Sequence, residues 1–527
     1  MLYNVHKTGS NPIPVLILSR MCVYMLVYIL CCIIPLCYTS QPNIVILIID
    51  DLKPVLGCYG DQAAVSPNID KIAASAALFT HAYVQQAVCG PSRTSFLTSR
   101  TPDTTRLYDF GSYWREHAGN YTTLPQYFKE HGYRTVSMGK VFHPGISSNH
   151  SDDQPYSWTD PPYHPPAQQF KNSPVCQGVD GELHKNVFCP VNISSHPLQT
   201  LPDIQTADKA VQFLQDPPDQ PYLLAVGLHK PHIPHKFPAE YLNYHPLESI
   251  KLPANNARPA RLPSVSWTPY KALREREDVA KSNPSWPWGP VDDDMARLIK
   301  QGYYSATTYI DSLVGRIVEQ VDNKTMIVLL GDHGWSLGEH GEWCKMSNYE
   351  EVVHVPLLVS VPGSYSQQID QYVSLVDLFP SIVELAGLPA VAACRDRTTQ
   401  LCTEGRSWAS LLLQGKDNNW EDIAYSQYPR PSIYPRYDSD LPKESNIRYM
   451  GYSVRWRMAQ EKNGWRCTVW MGFTAVPEPK ADMTDIVGLE LYNHDDDEGE
   501  NNNLAKDKDQ IKNINKCMEL IANYIPV

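Results

Sequence analysis

The sequence lacks an excess of positive charge, since 45 lysines and arginines stand against 57 aspartates and glutamates and the formal net charge is −12. A generic nucleic-acid binder usually carries a basic face, so this balance predicts no nucleic-acid partner. An anionic substrate stays compatible with it, because a few basic side chains and a metal ion in one cleft can outweigh the average. Internal repeats, low-complexity tracts and cysteine pairs with zinc-finger spacing are also missing, which excludes repeat arrays and zinc-finger modules.

What the chain does have is the length and composition of a large globular protein. Its 527 residues are 43% hydrophobic and 19% charged, and its 44 prolines indicate many loops. That length is too great for one ordinary core. We therefore predict a large domain over residues 41–437 and a smaller one over residues 438–527.

The first 40 residues have a different character. Lys7 and Arg20 precede an uncharged apolar run, Met21–Cys37, which predicts a secretory signal peptide over residues 1–40. An uncleaved signal anchor is the alternative, because the run is at the short edge of a membrane span. Cleavage would leave no stable membrane insertion. Four glycosylation triplets fit the same export route, at Asn120, Asn149, Asn192 and Asn323.

Outside this leader the chain has nine cysteines, an odd number. At least one is therefore unpaired, chemically modified or joined to another chain. The two pairs that close short loops are the preferred disulfides. These are Cys176–Cys189 and Cys394–Cys402, while the pairing of Cys58, Cys344, Cys467 and Cys517 stays open.

Apolar runs such as NIVILIID, PYLLAVGL and TMIVLLGDHG alternate with helical patterns such as LPQYFKEHGY. This order predicts an α/β fold, with a large sheet covered on both faces by helices. Ligands bind beyond the carboxyl ends of the strands in such sheets. The segment Ser426–Lys443 is rich in proline and predicts a linker or surface excursion. The alternating runs after it predict a smaller α+β domain with antiparallel strands.

Acidic residues follow two of the predicted strands. Asp50 and Asp51 end the first one, and Asp332 with His333 ends a later one. Either pair alone could simply cap a helix or turn. Together their oxygens suit calcium or magnesium, with His333 either a nitrogen ligand or a hydrogen-bonding neighbour.

Cys89 opens a helical stretch in the run CGPSRTSFLTSR. An unremarkable secreted cysteine is half of a disulfide or a small buried hydrophobe. A helix start beside Arg93, however, would bind an anion and stabilise negative charge. Thiolate activation alone does not explain a soft sulfur beside an oxygen-rich cation site.

The pattern C-x-P-S-R, with LTSR downstream, resembles the signature of the sulfatase family, in which this cysteine is oxidised to formylglycine during secretion. The runs IIDD, GKVFHPG, LHKPHIP and GDHGWSLGEHGEW resemble matching family elements, and the likeness covers nearly the whole mature chain. It implies an alkaline-phosphatase-like fold with a large, mixed, mostly parallel sheet between helices. Longer runs, including PDTTRLYDF and AYSQYPRPS, resemble the subfamily that removes the 2-O-sulfate of terminal L-iduronate from heparan and dermatan sulfate.

The resemblance implies one calcium ion per chain and a hydrated formylglycine at Cys89 that attacks sulfur, with Arg93 helping to ionise it. The calcium ligands would be Asp50, Asp51, Asp332, His333 and the oxygen made at Cys89. Lys140 and His143 would hold formylglycine and sulfate, with His143 a base for sulfate release. Lys345 and His229 would bind sulfate oxygens, and His229 is the candidate general acid.

Weaker candidates for contacts to the sugar are Trp335, Tyr108, Arg106 and Asp153, where Trp335 could instead be core. The sequence departs from the family pattern at Ser99, Thr101, Leu228 and Cys344. The implied partners are a sulfated glycosaminoglycan oligosaccharide and the formylglycine-generating enzyme. The implied address is the lysosome or the extracellular space.

Three alternatives remain at this point. The chain could act on another sulfated carbohydrate, or be a related phosphoesterase, although those generally use serine or threonine and two metals. It could also be a non-catalytic, membrane-anchored glycan-binding homologue. That class tolerates loss of a nucleophile or a metal ligand, whereas this sequence retains the whole expected set.

Overall fold

The computed structural model describes residue 1 and residues 41–526, except residues 179, 416, 418, 459 and 460. The predicted signal peptide of residues 1–40 therefore lies outside the described residues, apart from Met1. Residues 42–527 form one compact unit. Within the described part of the chain, no helix is both long and apolar enough to cross a membrane.

Strands and helices alternate over the first two thirds of the chain. The strands are β1 (Ile44–Ile49), β2 (Ala77–Tyr83), β3 (Arg134–Gly139), β4 (Cys176–Gln177), β5 (Leu183–His184), β6 (Phe188–Val191), β7 (Tyr222–Leu228), β8 (His235–Pro238), β9 (Met326–Gly331), β10 (Ser336–Leu337), β11 (Trp343–Cys344), β12 (His354–Ser360), β13 (Gln367–Ser374), β14 (Ile423–Arg430), β15 (Tyr449–Trp456), β16 (Trp465–Thr474) and β17 (Lys480–Asn493). The α-helices are α1 (Pro67–Ala73), α2 (Cys89–Thr98), α3 (Pro102–Thr105), α4 (Trp114–His117), α5 (Leu124–Glu130), α6 (Pro202–Gln215), α7 (Lys271–Arg274), α8 (Glu277–Ser282), α9 (Asp293–Val318), α10 (Glu350–Val353), α11 (Leu378–Leu385), α12 (Ala409–Gln414) and α13 (Ile511–Tyr524).

Seven strands form the central sheet, in the order β13-β2-β12-β9-β1-β7-β3. Only β12 runs against its neighbours, so the sheet is mixed and mostly parallel, as predicted. Successive side chains of β1 enter two different cores: Ile44, Ile46 and Ile48 face one, and Val45, Leu47 and Ile49 face the other. Helices α5 and α11 contribute to the first core, and α1 and α6 to the second. A strand buried on both faces explains the unbroken apolar run in the sequence.

A second sheet of four antiparallel strands, β14-β15-β16-β17, packs against α13. Its first strand, β14, overlaps the start of the segment expected to be a linker, so that prediction was wrong for Ser426–Arg430. Proline at position 429 misled it, but β14 is an edge strand, where a missing backbone donor is tolerated. The sheet thus begins before the predicted boundary at 437/438, which stays a prediction.

Both predicted disulfides, Cys176–Cys189 and Cys394–Cys402, are present. A third, Cys467–Cys517, joins β16 to α13. Among the described residues three cysteines stay free, at positions 58, 89 and 344. Cys89 is therefore one of three described cysteines that no disulfide occupies.

Strand direction brings the predicted site together. Strands β3, β7, β1 and β9 are adjacent and parallel, so their carboxyl ends lie at one edge of the sheet. Lys140, His229, Asp50 and Asp332 are the residues that directly follow these four strands. The short antiparallel pair β10 and β11 brings Lys345, which follows β11, to the same region.

Glu342 lies in the turn of this hairpin and is fully buried. Its Oε1 accepts a hydrogen bond from the Thr268 backbone N–H at 3.0 Å, and its Oε2 has no hydrogen-bond partner. Burial raises the pKa of this carboxyl from 4.5 to about 8. Glu342 is therefore protonated in the folded protein at neutral pH.

This shift predicts how stability depends on pH. Between the two pKa values, the folded state binds one more proton than the unfolded state. The protonated Glu342 therefore contributes fully to the free energy of unfolding below pH 4.5, and this contribution is lost as pH rises through about 8. We expect Glu342→Gln to flatten the fall of the unfolding free energy over this range by at most ~1.4 kcal/mol per pH unit. Melting temperatures measured across the range check this. The exposed Glu319→Gln variant is the control, and parallel curves for wild type and Glu342→Gln would contradict the assignment.

Candidate active site

Helix α2 begins at Cys89, and all ten of its residues are buried. The start of a helix favours negative charge, and Cys89 is the first residue of this one. Two side chains fix the helix to the end of β9. Ser92 Oγ donates to the Asp332 carbonyl at 2.5 Å, and Arg93 Nε donates to Asp332 Oδ2 at 2.8 Å.

Four polar side chains surround the sulfur of Cys89. Lys345 Nζ lies 3.1 Å from Sγ, Asp50 Oδ1 and His333 Nε2 each lie 3.3 Å from it, and Lys140 Nζ lies 3.4 Å from it. These groups come from the ends of β1, β3 and β9 and from the residue after β11. The structure thus brings together residues separated by as many as 256 positions in sequence.

Three acidic and three basic side chains are paired in this region. Lys140 Nζ lies 2.5 Å from Asp50 Oδ2, Lys345 Nζ lies 2.6 Å from Asp51 Oδ1, and Arg93 contacts both Asp50 and Asp332. Burial alone would lower the pKa of Lys140 and Lys345, but the neighbouring carboxylates raise both above 10.5. The two ammonium groups are therefore charged.

Burial raises the pKa of the Cys89 thiol, and the Asp50 carboxylate raises it further. The two lysines act in the opposite direction but do not outweigh these effects. An ionised thiolate is the form that attacks as a nucleophile, so the unmodified side chain is poorly suited to that role. The environment is better suited to an oxygen group that shares a cation with the nearby acids.

The acidic residues offer a place for a cation. Ligand atoms of Asp50, Cys89, Asp332 and His333 all lie within 4.8 Å of one another. Asp51 adds a buried oxygen, Oδ2, that has no hydrogen-bond partner, and such an atom is costly unless something compensates it. Asp51 also adopts a left-handed backbone conformation, with φ of 66°, a strain typical of functional sites. This donor set fits a hard divalent cation.

His229 follows β7 and is held by Asp203, near the start of α6. Asp203 Oδ1 accepts from the His229 backbone N–H at 2.6 Å and lies 3.2 Å from His229 Nδ1. Burial lowers the pKa of His229, and the Asp203 carboxylate opposes that shift. This contact leaves Nε2 as the nitrogen available to a ligand.

His143 stacks on Phe110, with ring centroids 4.0 Å apart. Burial lowers its pKa to about 2, with a further contribution from Lys140, so the ring is neutral. Its Nδ1 is buried and has no hydrogen-bond partner. A neutral imidazole of this kind can accept a proton.

The four weaker candidates for sugar contacts lie in different surroundings. Trp335 is 1% exposed and packs in the main core, with Lys345 Nζ 6.0 Å from its ring centroid. Tyr108 is buried and donates to Asp103 at 2.9 Å. Asp153 is buried and accepts from Arg115 at 2.5 Å, while Arg106 lies 3.8 Å from Glu444. Their substrate roles stay predictions.

Two residues of the site were missed in the sequence. Asp203 is distant in sequence from every motif, so no local pattern could have revealed it. His232 lies with Asp51 and Cys89 in a second group of ligand atoms within 4.8 Å of one another. The available signal for His232 was its place in HKPHIP, where any of the histidines could have been a simple loop residue.

Ser99, where glycine was expected, ends helix α2 in the left-handed conformation, with φ of 53°. Glycine adopts this conformation without strain. The serine hydroxyl compensates by donating to the Val376 carbonyl at 2.7 Å and accepting from the Gly405 N–H at 3.2 Å. This departure therefore leaves the start of the helix, and Cys89, in place.

Comparison with known proteins agrees with this geometry. The family model described as Sulfatase matches residues 42–388. Human iduronate 2-sulfatase is 45% identical over 515 residues, which cover 89% of this chain and 92% of the human protein.

Solved structures show the same fold. A phosphonate monoester hydrolase from Silicibacter pomeroyi has a TM-score of 0.67 at 20% identity, covering 92% of this chain and 95% of that one. A 2-O GAG sulfatase has a TM-score of 0.64 at 20% identity, covering 92% of both chains. The predicted alkaline-phosphatase-like fold is confirmed. Taken with the matched family model, these findings show that the chain belongs to the sulfatase family and is a sulfuric ester hydrolase.

Proposed function

We propose that this sulfatase hydrolyses the 2-O-sulfate ester of terminal L-iduronate in heparan sulfate and dermatan sulfate. The observation that carries the chemistry is the position of Cys89, at a helix start and within 3.4 Å of two lysines, a carboxylate and an imidazole. The observation that supports the sugar is the 45% identity to human iduronate 2-sulfatase over 89% of the chain.

Two groups that the chain itself does not encode belong to this proposal. Formylglycine made from Cys89 by the formylglycine-generating enzyme, with a calcium ion beside it, supplies a hydrated aldehyde able to attack sulfur and then expel sulfate. Asp50, Asp51, Asp332 and His333 would hold the ion, together with the oxygen made at Cys89. All other steps fall to side chains of the protein.

Lys140 and Lys345 hold the anionic sulfate in place. Both ammonium groups lie within 3.4 Å of the Cys89 sulfur, so they also reach oxygens bound near that atom. Their carboxylate partners are buried, and that keeps both lysines oriented without a substrate. Arg93 contacts Asp50 and Asp332, so it positions the acids and adds positive charge below the helix start.

His229 donates a proton to the sugar oxygen as the sulfur–oxygen bond breaks. Asp203 occupies the Nδ1 side of the ring, which leaves Nε2 free to donate to a substrate. Asp203 therefore acts as a positioning residue. His143 is the candidate base for release of sulfate, with its unpaired Nδ1 as the acceptor.

Export through the secretory pathway to the lysosome or the extracellular space completes the proposal. The asparagines of all four sequons are exposed, as attachment of a glycan requires, and three disulfides suit an oxidising compartment. The leader of residues 1–40 would direct this route and be removed near Ser40.

The first test concerns the substrate and Cys89. We expect turnover of a defined iduronate 2-sulfate disaccharide, and peptide mass spectrometry should find an aldehyde at position 89. Cys89→Ser should lose at least about 10³-fold in kcat, because serine lacks the second hydroxyl that allows sulfate to leave. Cys58→Ser removes a different free cysteine and should keep full activity. An unmodified thiol in active protein, or activity only on other sulfated sugars, would refute the proposal.

The second test concerns the metal. Removal of calcium by a chelator should abolish activity and lower the melting temperature, and added calcium should restore both, because a ligand that binds only the folded state stabilises it. Asp51→Asn should weaken calcium binding by at least about tenfold, as judged from the calcium dependence of the melting temperature. Asp216→Asn changes an exposed acid and should respond like wild type. If the melting temperature of Asp51→Asn depends on calcium as that of the wild type does, Asp51 is not a calcium ligand.

The third test concerns the general acid. Because burial lowers the pKa of His229 from 6.5, its protonated form is present only at acid pH, so kcat should fall as pH rises through that pKa. Asp203→Asn removes a charge that raises this pKa, so the fall should begin at lower pH and kcat should drop about 10- to 100-fold. Profiles of kcat against pH measure both effects. A lower kcat with an unshifted profile would make Asp203 merely structural.

A further inference from the structure

Large aromatic side chains are exposed on two segments, one around Trp288 and one around Tyr437. Trp286 is 45% exposed, Trp288 is 36% exposed and Tyr437 is 61% exposed. The rings of Trp286 and Tyr437 lie 5.8 Å apart. Exposed rings grouped in this way commonly mark a binding surface. We call the following six residues the aromatic rim: Trp286, Trp288, Tyr437, Arg258, Lys271 and Arg274.

The three cations of the aromatic rim lie over its three rings. The Arg258 guanidinium lies 4.3 Å from the centroid of Trp288, and Lys271 Nζ lies 3.8 Å from that of Tyr437. The Arg274 guanidinium lies 5.7 Å from the centroid of Trp286. The surface thus combines flat apolar faces with nitrogen donors. The apolar face of a sugar ring packs on such rings, while sulfate and carboxylate groups accept from guanidinium groups.

In the part of the chain that the structure describes, neither arginine is neutralised by a carboxylate, although backbone carbonyls already accept from all five N–H donors of Arg274. Arg258 donates to the Leu262 carbonyl at 3.2 Å, and Arg274 donates to backbone carbonyls that include Pro269 at 2.7 Å. Among the described residues no carboxylate pairs with either guanidinium within 4.0 Å, whereas Lys271 has Glu275 at 3.8 Å. Unpaired arginines in a protein of net charge −12 make this a local site for anions.

Hydrogen bonds attach the aromatic rim to the loop that carries Lys345. The Thr268 backbone N–H donates to Glu342 at 3.0 Å, and Lys271 N–H donates to Asp440 at 2.6 Å. Arg430, which contacts the Val265 carbonyl at 3.0 Å, also donates to the Met346 carbonyl at 2.8 Å. The rim and the catalytic lysine therefore belong to one connected part of the structure.

A line of basic residues leads from the rim toward the catalytic pocket. Arg276 follows α7 and donates to Asn172 at 3.5 Å. The neighbouring Lys171 lines one cavity together with Lys236 and His229. An anionic chain leaving the pocket past His229 would meet positive charge along this line.

We propose that the aromatic rim binds the sugar units next to the one whose sulfate is removed, in an oligosaccharide with alternating uronate and sulfated amino sugar units. This inference rests on the proposed function for the sugar at Cys89. A long substrate would engage both the pocket and the rim, whereas a disaccharide would fill only the pocket. The rim would then increase the affinity for long substrates and leave the rate of sulfate ester cleavage unchanged.

The test compares substrates of two lengths, each with 2-O-sulfated iduronate at its end. In the double variant Trp286→Ala, Tyr437→Ala we expect KM for an octasaccharide to rise about tenfold, with kcat and the disaccharide KM unchanged. Tyr365→Ala is the matched control. Tyr365 is 88% exposed and follows β12, whose last residues pair with the start of β9, so it lies at the opposite edge of the sheet. Equal KM changes for both substrates, or no change for either, would overturn the proposal.

A binding measurement separates the rim from the proposed function. Calorimetric titration of the inactive Cys89→Ala protein with the octasaccharide requires no turnover, so it gives a result even if the sugar at Cys89 was assigned wrongly. Adding the two rim substitutions should weaken this binding about tenfold, and added salt should reduce the contribution of the rim. If the two substitutions leave the affinity for the octasaccharide unaltered, the proposed role of the rim is wrong. Failure to hydrolyse the disaccharide would contradict the proposed function alone.

Discussion

The constraint on which the site depends is the burial of three acidic side chains beside three basic ones. An ionised group taken out of water is costly, and the cost is met only when partners are close and well oriented. Asp50, Asp51 and Asp332 find such partners in Lys140, Lys345 and Arg93. Removing any one member would leave an uncompensated charge in the interior.

The central sheet holds these paired side chains in place because its backbone is rigid. Strands β1, β3, β7 and β9 pair in parallel register, and two hydrophobic cores hold the sheet from either face. The residues just beyond these strands therefore have little freedom. Helix α2 is attached to them by Ser92 and Arg93, so Cys89 is fixed relative to the acids before any ligand binds. The phosphonate monoester hydrolase has the same fold, so the fold supplies the edge and the side chains supply the chemistry.

Much of this arrangement could be predicted from the sequence wherever a local sequence pattern could be combined with a general rule of protein folds. Asp50 and Asp332 follow apolar strands, and the carboxyl-end rule for parallel sheets brings them together. The odd cysteine count allowed an unpaired cysteine, and the run C-x-P-S-R singled out Cys89. Asp203 could not be found, because only packing of α6 against the sheet places it at His229. The pairing of Cys467 with Cys517 depends in the same way on how α13 lies on β16. The prediction of a linker over Ser426–Arg430 was wrong because the proline there suggested a loop. The sequence does not show that this segment is an edge strand, where proline is tolerated.

The disulfide between β16 and α13 also determines whether a single proteolytic cut would release the C-terminal helix. It closes a loop of 50 residues that contains the exposed turn of Val476, Pro477 and Glu478. If a protease cut the chain at that turn, the sulfur–sulfur bond would still join the two fragments. The final helix would remain on its sheet, and the two fragments would separate only after reduction of the disulfide. The C-terminal region can thus be nicked without being shed.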